Sequence, residues 1–425
     1  MNEVLKKIYD YCKSHENKDF LSIVFGEHRQ AATSGSVPVA LFGVGNVGKD
    51  LCQVLQLHGV DPACFCDNSQ SQIGRSYLGV QVISFAELKE SYKDHLVVIA
   101  SSLYETEIRQ QLLENGFSAE KLIPISPMGK PALLGLGYYC HCGYYSNNPR
   151  HALTMDDLEN HQEEITAAYN LMADQKSKDI FIARLALFTS EMDFSRFSSY
   201  ITKYSELNEQ ERDSFPFYVS PEDYGYFNND VFCLEDAEIV VDGGSYNGLS
   251  AATFAKTCEN KKLAYRKVFC FEPDADNFNV LKNNTAKLHD VNCMQKGLWS
   301  HATTLTFLSA TECDPGAVIE ACSDKPVSSN ATRTEVKTIS IDEQFPDEEI
   351  TYIKMDIEGA EIEAIRGAAA VIRRCHPKLG ISAYHKHSHI WELPLLINEL
   401  YPSYKFYLRH YGYTVFDMVL FAIPK

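Results

Sequence analysis

Two stretches of the sequence end a short apolar run on a glycine-rich turn and open at once into a helical pattern. No other feature narrows the fold so far. In residues 240–248, Val-Val-Asp-Gly-Gly-Ser-Tyr-Asn-Gly, Asp242 closes the run and Gly243, Gly244 and Gly248 shape the turn. In residues 42–48, Phe-Gly-Val-Gly-Asn-Val-Gly, Gly43, Gly45 and Gly48 give a G-x-G-x-x-G between strand and helix. A turn of this kind leads into a helix that crosses back over a sheet to the next parallel strand. The chain is therefore expected to be α/β with two Rossmann-like units, and 425 residues suffice for two to four domains.

The rest of the pattern places these turns in two rhythms. After an amphipathic start, apolar runs at 37–42, 63–66, 80–83, 96–100 and 122–125 read as strands, with helices at 48–58 and 105–115. Gly, Pro, Tyr and Asn then break the rhythm. The expected division is an amino-terminal helix and Rossmann-like domain over 1–128, a linker over 129–153, and a second domain over 154–425. Within that second domain a helical lead-in, 154–236, precedes a core, 237–425. Its segment opens at Thr154 with Asp157 three residues on, like a capping box, and a second helix spans 179–190. Core strands are expected at 238–242, 267–272, 292–297, 351–357, 379–384, 405–410 and 418–423, with helices at 249–257, 274–288 and 361–374. Two alternating runs, 304–308 and 334–339, predict an antiparallel insertion after the third of these strands.

The turn at Asp242 carries the sharpest chemistry. Its glycines, Gly243, Gly244 and Gly248, let backbone approach a ligand, and with Ser245, Tyr246 and Asn247 it opens a helix whose first N–H groups suit a carboxylate or phosphate. Thirty residues on, Glu272-Pro273-Asp274 follows the next apolar run. An acid at that point is placed to accept hydrogen bonds from both ribose hydroxyls of an adenosine cofactor. The competing reading is a strand-turn-helix that merely packs. In the first rhythm Asp67 stands nineteen residues after Gly48, so Gly43, Gly45, Gly48 and Asp67 form a candidate second site for a nucleotide or nucleotide-sugar, although domains that bind nothing use the same design.

From Asp242 onward the sequence resembles the FkbM family of S-adenosylmethionine-dependent methyltransferases. The residues that carry the resemblance are the 242–248 turn, Phe271-Glu272-Pro273-Asp274 with Asn277, Lys296-Gly297-Leu298, the block Tyr352-Ile353-Lys354-Met355-Asp356-Ile357-Glu358-Gly359-Ala360-Glu361 running to Arg366-Gly367-Ala368, and Ile381-Ser382-Ala383-Tyr384-His385-Lys386. The resemblance implies a class I, seven-stranded Rossmann-like fold and S-adenosylmethionine as cofactor. Tyr246 stands where many class I enzymes have a second glycine, and no Asp closes strand three to meet the adenine amine, which leaves the backbone of Gly297 and Leu298 for adenine. The region around Asp67, with Ile73-Gly74 and Gly79-Val80-Gln81-Val82, resembles nucleotide-binding domains of sugar-modifying proteins.

Methyl transfer to an alcohol depends on holding acceptor and methyl in line, and a hydroxyl nucleophile benefits from a base. His385 and Asp356, both at the carboxyl edge of the expected sheet, are the catalytic candidates, with Glu358 beside them. For Glu358 and Glu361 a favourable charge at a helix N-terminus is an equal alternative. His385, His387 and His389 would share one face if the strand continued, but the intervening Lys and Ser argue for a loop, and no metal is expected. Cys140-His141-Cys142 lacks the second half of a zinc motif. The function expected is O-methyl transfer, with a sugar or glycan hydroxyl as acceptor on the strength of the two resemblances. The alternatives are a nucleotide-sugar-modifying or NAD(P)-dependent enzyme run by the first unit, and a binding protein with a degenerate site. Tyr200 and Lys203 are one residue short of a Tyr-x-x-x-Lys dyad.

Composition narrows the partners. A net charge of −18 opposes nucleic acid and anionic membranes. Residues 1–9 become charged before an h-region can form, and no apolar run reaches the roughly 18 residues of a membrane span. Thirteen scattered cysteines, many in apolar runs, read as reduced core thiols, which points to the cytoplasm. A small-molecule or glycan acceptor is the partner expected; the oligomeric state stays open, a homodimer included.

Overall fold

The structure, a computed structural model, describes residues 2–14, 20–101, 104–124, 154–189, 200, 203–204, 225–309, 318–320, 332–411 and 418–425. The expected linker, and Cys140-His141-Cys142 within it, lie outside the described residues. Contacts divide the chain into two units, Tyr9–Thr154 with Ala186–Val219, and Met1–Ile8 with Met155–Leu185 and Ser220–Lys425. The sequence-based boundary put 1–8 with the first unit and all of 154–236 with the second. Buried Leu5 and Ile8, and the Asn2 amide that donates to Thr166 Oγ1 (2.7 Å) and Gln162 O (3.2 Å), tie the first eight residues to the second unit instead.

The first unit is built on strands β1 (Val39–Phe42), β2 (Cys64–Cys66), β3 (Ser76–Tyr77), β4 (Val80–Ile83), β5 (Leu96–Ile99) and β6 (Leu122–Pro124), in the order β3-β4-β2-β1-β5-β6. All pairs are parallel except β3 with β4. Alternate residues of β1 enter different cores, Val39 and Leu41 with Leu51 and Leu55, Ala40 and Phe42 with Ile108 and Leu112. Burial on both faces is why its strands read as unbroken apolar runs.

In the second unit β7 (Ile239–Gly243), β8 (Lys267–Phe271), β9 (Val291–Met294), β14 (Tyr352–Met355), β15 (Lys378–Ser382), β16 (Lys405–His410) and β17 (Met418–Ile423) form a seven-stranded sheet, ordered β16-β17-β15-β14-β7-β8-β9. Six strands run in one direction, and β17 alone runs against them, between β15 and β16. Chain order reverses at β7, which has β8 on one side and β14 on the other. That reversal opens a crevice at the carboxyl ends of β7 and β14.

The expected strand 292–297 is split. Its last residue, Gly297, opens β10 (Gly297–Leu298), which joins β11 (Thr304–Ser309), β12 (Val318–Ile319) and β13 (Thr332–Ile339) in a separate sheet, with β11 and β13 antiparallel as the alternation predicted. The expected helix 361–374 is two, Glu361–Arg366 and Ala369–Cys375, broken at Gly367. Helix His389–Leu400 carries Pro394 inside it and lies where no helix was expected.

Candidate active site

Beneath the turn after β7 sits a buried ion pair. Lys354 on β14 is paired in register with Asp242 on β7, and its Nζ lies 3.1 Å from Asp242 Oδ1 while donating to the carbonyls of Gly244 (2.9 Å) and Gly243 (3.3 Å). Asp242 Oδ2 accepts from Ser250 Oγ at 2.5 Å, and Ser245 Oγ donates to the Asp242 carbonyl. Asp242 and Lys354 are thus fixtures of the loop, 1% and 3% exposed at the side chain. An uncompensated charge there would be costly, so either one alone would loosen the turn.

Gly244 is forced by its surroundings. Its φ is +71°, and a Cβ would fall 1.8 Å from the carbonyl oxygen of Asp356. No larger residue lets β7 and β14 diverge this closely.

The donors of the turn are used differently from the sequence-based expectation. The N–H groups of Gly244 and Ser245 both donate to the carbonyl of Phe271, and Tyr246 N–H donates to Glu272 Oε2 at 2.9 Å. The N–H groups of Gly244, Ser245 and Tyr246 are therefore engaged by the end of β8 and by Glu272. Asn247 Oδ1 caps Leu249 N–H, and Gly248, at φ +85°, begins helix Leu249–Lys261. Glu272 Oε1 accepts from Asp274 N–H at 2.9 Å, and Asp274 in turn caps helix Ala275–Thr285. Burial pushes the Glu272 carboxyl up to about 7, against the Asp274 and Tyr246 N–H bonds that favour its ionised form.

These elements wall an open cleft of about 560 Å³, counting the part continuous with solvent. Gly244, Tyr246, Glu272, Pro273, Gly297, Leu298, Asp356 and Glu358, all candidates from the sequence, line it together with Phe271, Asn277, Phe307, Ile357 and Ala360. Gly243, Ser245, Asn247, Gly248 and Asp274 support the lining without joining it. Phe307 comes from β11, so the inserted sheet contributes a wall that no local motif announced.

Past the cleft lies an imidazole among carboxylates. His385 follows β15 by three residues, its side chain 7% exposed. Its Nδ1 lies 2.8 Å from Glu361 Oε1, and its Nε2 lies 3.3 Å from Asp356 Oδ1 and 3.6 Å from Glu358 Oε2. Tyr384 donates to Asp356 Oδ1 at 3.0 Å, and Ile357 N–H to Glu361 Oε1 at 3.0 Å. Burial opposes a charge on His385, but Glu361 and Glu358 outweigh it and hold the imidazole well above its ordinary pKa. Fully buried Glu361 is nonetheless held down to about 2 by His385, His389 and the Ile357 N–H. Burial takes His389, 3.4 Å from Glu361, down to about 4. The three alternating histidines do not share a strand face, since β15 ends at Ser382 and His389 opens a helix. Glu361 is the site residue the sequence left as a helix-end charge; its place in the Lys354–Glu361 block was the signal.

Residues 242–415 match the family described as the methyltransferase FkbM domain. This region is an FkbM methyltransferase domain. Residues 36–123 match the C2185-like amino-terminal family. A solved FkbM methyltransferase from Methylobacillus flagellatus KT is 18% identical, with a TM-score of 0.59 over 99% of each chain, and shares the fold of the whole protein. An rRNA methylase from Streptococcus thermophilus (15% identity, TM-score 0.28) covers 45% of this chain and 89% of its own. A SAM-dependent methyltransferase from Aquifex aeolicus (13%, 0.27) covers 44% and 83%. No curated protein matches. In the FkbM domain the turn, Glu272, Asp356 and His385 all stand at the carboxyl edge of one sheet. No described helix is long and apolar enough to cross a membrane.

Proposed function

We propose that the FkbM domain transfers a methyl group from S-adenosylmethionine to an oxygen, with a sugar or glycan hydroxyl as acceptor. The observation that carries this is Glu272, a buried acid fixed by two backbone N–H groups yet lining the same cleft as Asp356 and Glu358. A carboxylate oxygen has two acceptor sites, so each Glu272 oxygen keeps one for a ribose hydroxyl. Gly244 and Tyr246 border the amino-acid end, and Gly297 and Leu298 face the adenine, with Asn277 beside Pro273. When bound, S-adenosylmethionine would supply a methyl on a cationic sulfur that keeps the C–S electron pair, and Asp356 and Glu358, with His385, would orient the acceptor hydroxyl and take up its proton as the C–O bond forms.

His385, Asp356 and Glu358 form the acceptor side. Glu361 positions the His385 ring, and Tyr384 positions Asp356. Together they place negative charge where a hydroxyl must lose its proton. The test is calorimetric titration with S-adenosylmethionine, followed by mass scanning of candidate glycans for gain of one methyl. Saturable binding with methylation of a hydroxyl-bearing acceptor is the expected result. Absence of binding by the folded full-length chain would reject the cofactor assignment. The sugar acceptor rests on resemblance and the −18 charge, which disfavours a nucleic-acid acceptor.

A further inference from the structure

Three carboxylates, Asp356, Glu358 and Glu361, converge on a single imidazole. Even a protonated His385 would leave two negative charges uncompensated within this cluster. The division of labour around the ring is unequal. Its Nδ1 is held at 2.8 Å by Glu361, itself fixed by Ile357 N–H, whereas its Nε2 is sealed from solvent and has no hydrogen-bond partner. That unpartnered nitrogen, on a side chain only 7% exposed, faces Asp356 Oδ1 at 3.3 Å and Glu358 Oε2 at 3.6 Å.

From this geometry we infer that His385 Nε2, Asp356 and Glu358 bind a divalent first-row metal cation at the acceptor end of the cleft. Donors about 2.1 Å from a metal stand about 3.0 Å apart along an octahedral edge and about 3.4 Å apart in a tetrahedron. The separations of 3.3 and 3.6 Å lie close to that range before any ion draws the donors in. Asp356, Glu361 and His385 also lie in one group that offers a ligand atom from each residue within 4.8 Å of the others. Glu361 is then a positioning residue. It holds Nδ1–H, fixes the tautomer and leaves the Nε2 lone pair for the ion, the carboxylate–histidine–metal arrangement. One nitrogen with carboxylate oxygens suits Mn²⁺, Fe²⁺ or Zn²⁺.

Asp356 and Glu358 line the same cleft as Glu272, so the ion would border the space where the methyl acceptor sits. This consequence rests on the function proposed above. A hydroxyl bound to the ion loses its proton to water more readily, its oxygen forms the new bond to the methyl carbon, and the carbon–sulfur bond breaks with its electron pair on sulfur.

The test uses the full-length chain stripped with a chelator and titrated with MnCl₂, the free ion being followed by its electron paramagnetic resonance signal. One Mn²⁺ per chain is expected, with affinity at least tenfold weaker in Asp356→Asn, His385→Gln and Glu358→Gln, and 10- to 100-fold weaker in Glu361→Gln. Glu358, 35% exposed, is the variant least able to disturb folding. No Mn²⁺ bound by the parent chain, or equal binding by Glu358→Gln and Asp356→Asn, overturns the site. S-adenosylmethionine affinity measured on the same samples reports separately on the cofactor reading, which can fail while the cation still binds.

Discussion

At the end of β2 the Asp67 carboxylate accepts the N–H groups of Val44 (2.9 Å) and Ser69 (2.8 Å); at the end of β8 Glu272 accepts those of Tyr246 and Asp274, both at 2.9 Å. Each acid ties a glycine turn to the following loop in the same way. Around Glu272, however, stand Pro273, Leu298, Phe307 and Ile357, drawn from several segments of the unit. Beyond Asp67 come exposed Asn68 and Ser69, with the Asn68 amide bonded to Gln111. Gly48 serves its own backbone, since a Cβ there would lie 2.1 Å from the Gly43 carbonyl. The comparison teaches that a glycine fingerprint with an acid specifies a turn. A ligand site needs walls from elsewhere in the chain.

The largest test of that contrast lies at the acceptor end. Replacing His385 by Ala should slow the chemical step by roughly 10²- to 10⁴-fold with cofactor affinity nearly unchanged, the signature of a group acting in the transition state. Single-turnover methyl transfer would show this; a normal rate would remove His385 from the site. Next, Glu272→Ala should weaken S-adenosylmethionine binding by roughly 2 to 3 kcal/mol, as for hydrogen bonds to a charged group. Calorimetry of Glu272→Ala beside Asp67→Ala breaks the comparison if the two variants lose equal affinity.

A third test uses pH. With its carboxyl raised to about 7, Glu272 is partly protonated in the free protein near neutrality, and ribose hydroxyls donate to the ionised form. Affinity should therefore fall as pH drops below about 7, by at most about tenfold per pH unit, with proton release detectable in buffers of different ionisation enthalpy. The sign for stability is opposite. A carboxyl raised above its unfolded value of 4.5 favours the free fold at low pH, and that contribution is lost as pH rises from about 4.5 to about 7. Glu272→Gln should flatten both profiles, and a pH dependence that survives it would move the proton to another group. The smallest expected effect is Asp67→Ala, which should leave cofactor affinity within twofold of the parent.

Much of the fold was legible because strand and helix periods differ. Strands β16 and β17 fall at the expected residues, 405–410 and 418–423, and the insertion pairs as its alternation required. What local pattern could not supply came from distant contacts. The expected strand 292–297 changes sheets at its end because Gly297, with Leu298 after it, pairs with β13, some forty positions on. In the site, Glu272 and the turn were readable because a strand end fixes both. Glu361 and Lys354 were visible only as family residues, since their roles depend on His385 and Asp242 across the sheet.

The place of β17 bears on how the protein is made. It is the last of the seven strands to be synthesised, yet it lies between β15 and β16, paired with both. At about 5–20 residues per second, the 36 residues from Ser382 to Met418 take about 2 to 7 s to add. Until then β15, with buried Leu379 and Ile381, keeps an unpaired edge, and β16 lacks its partner. The nascent chain thus carries an adhesive edge during that interval, a stage at which chaperone capture would guard against mispairing between neighbouring ribosomes.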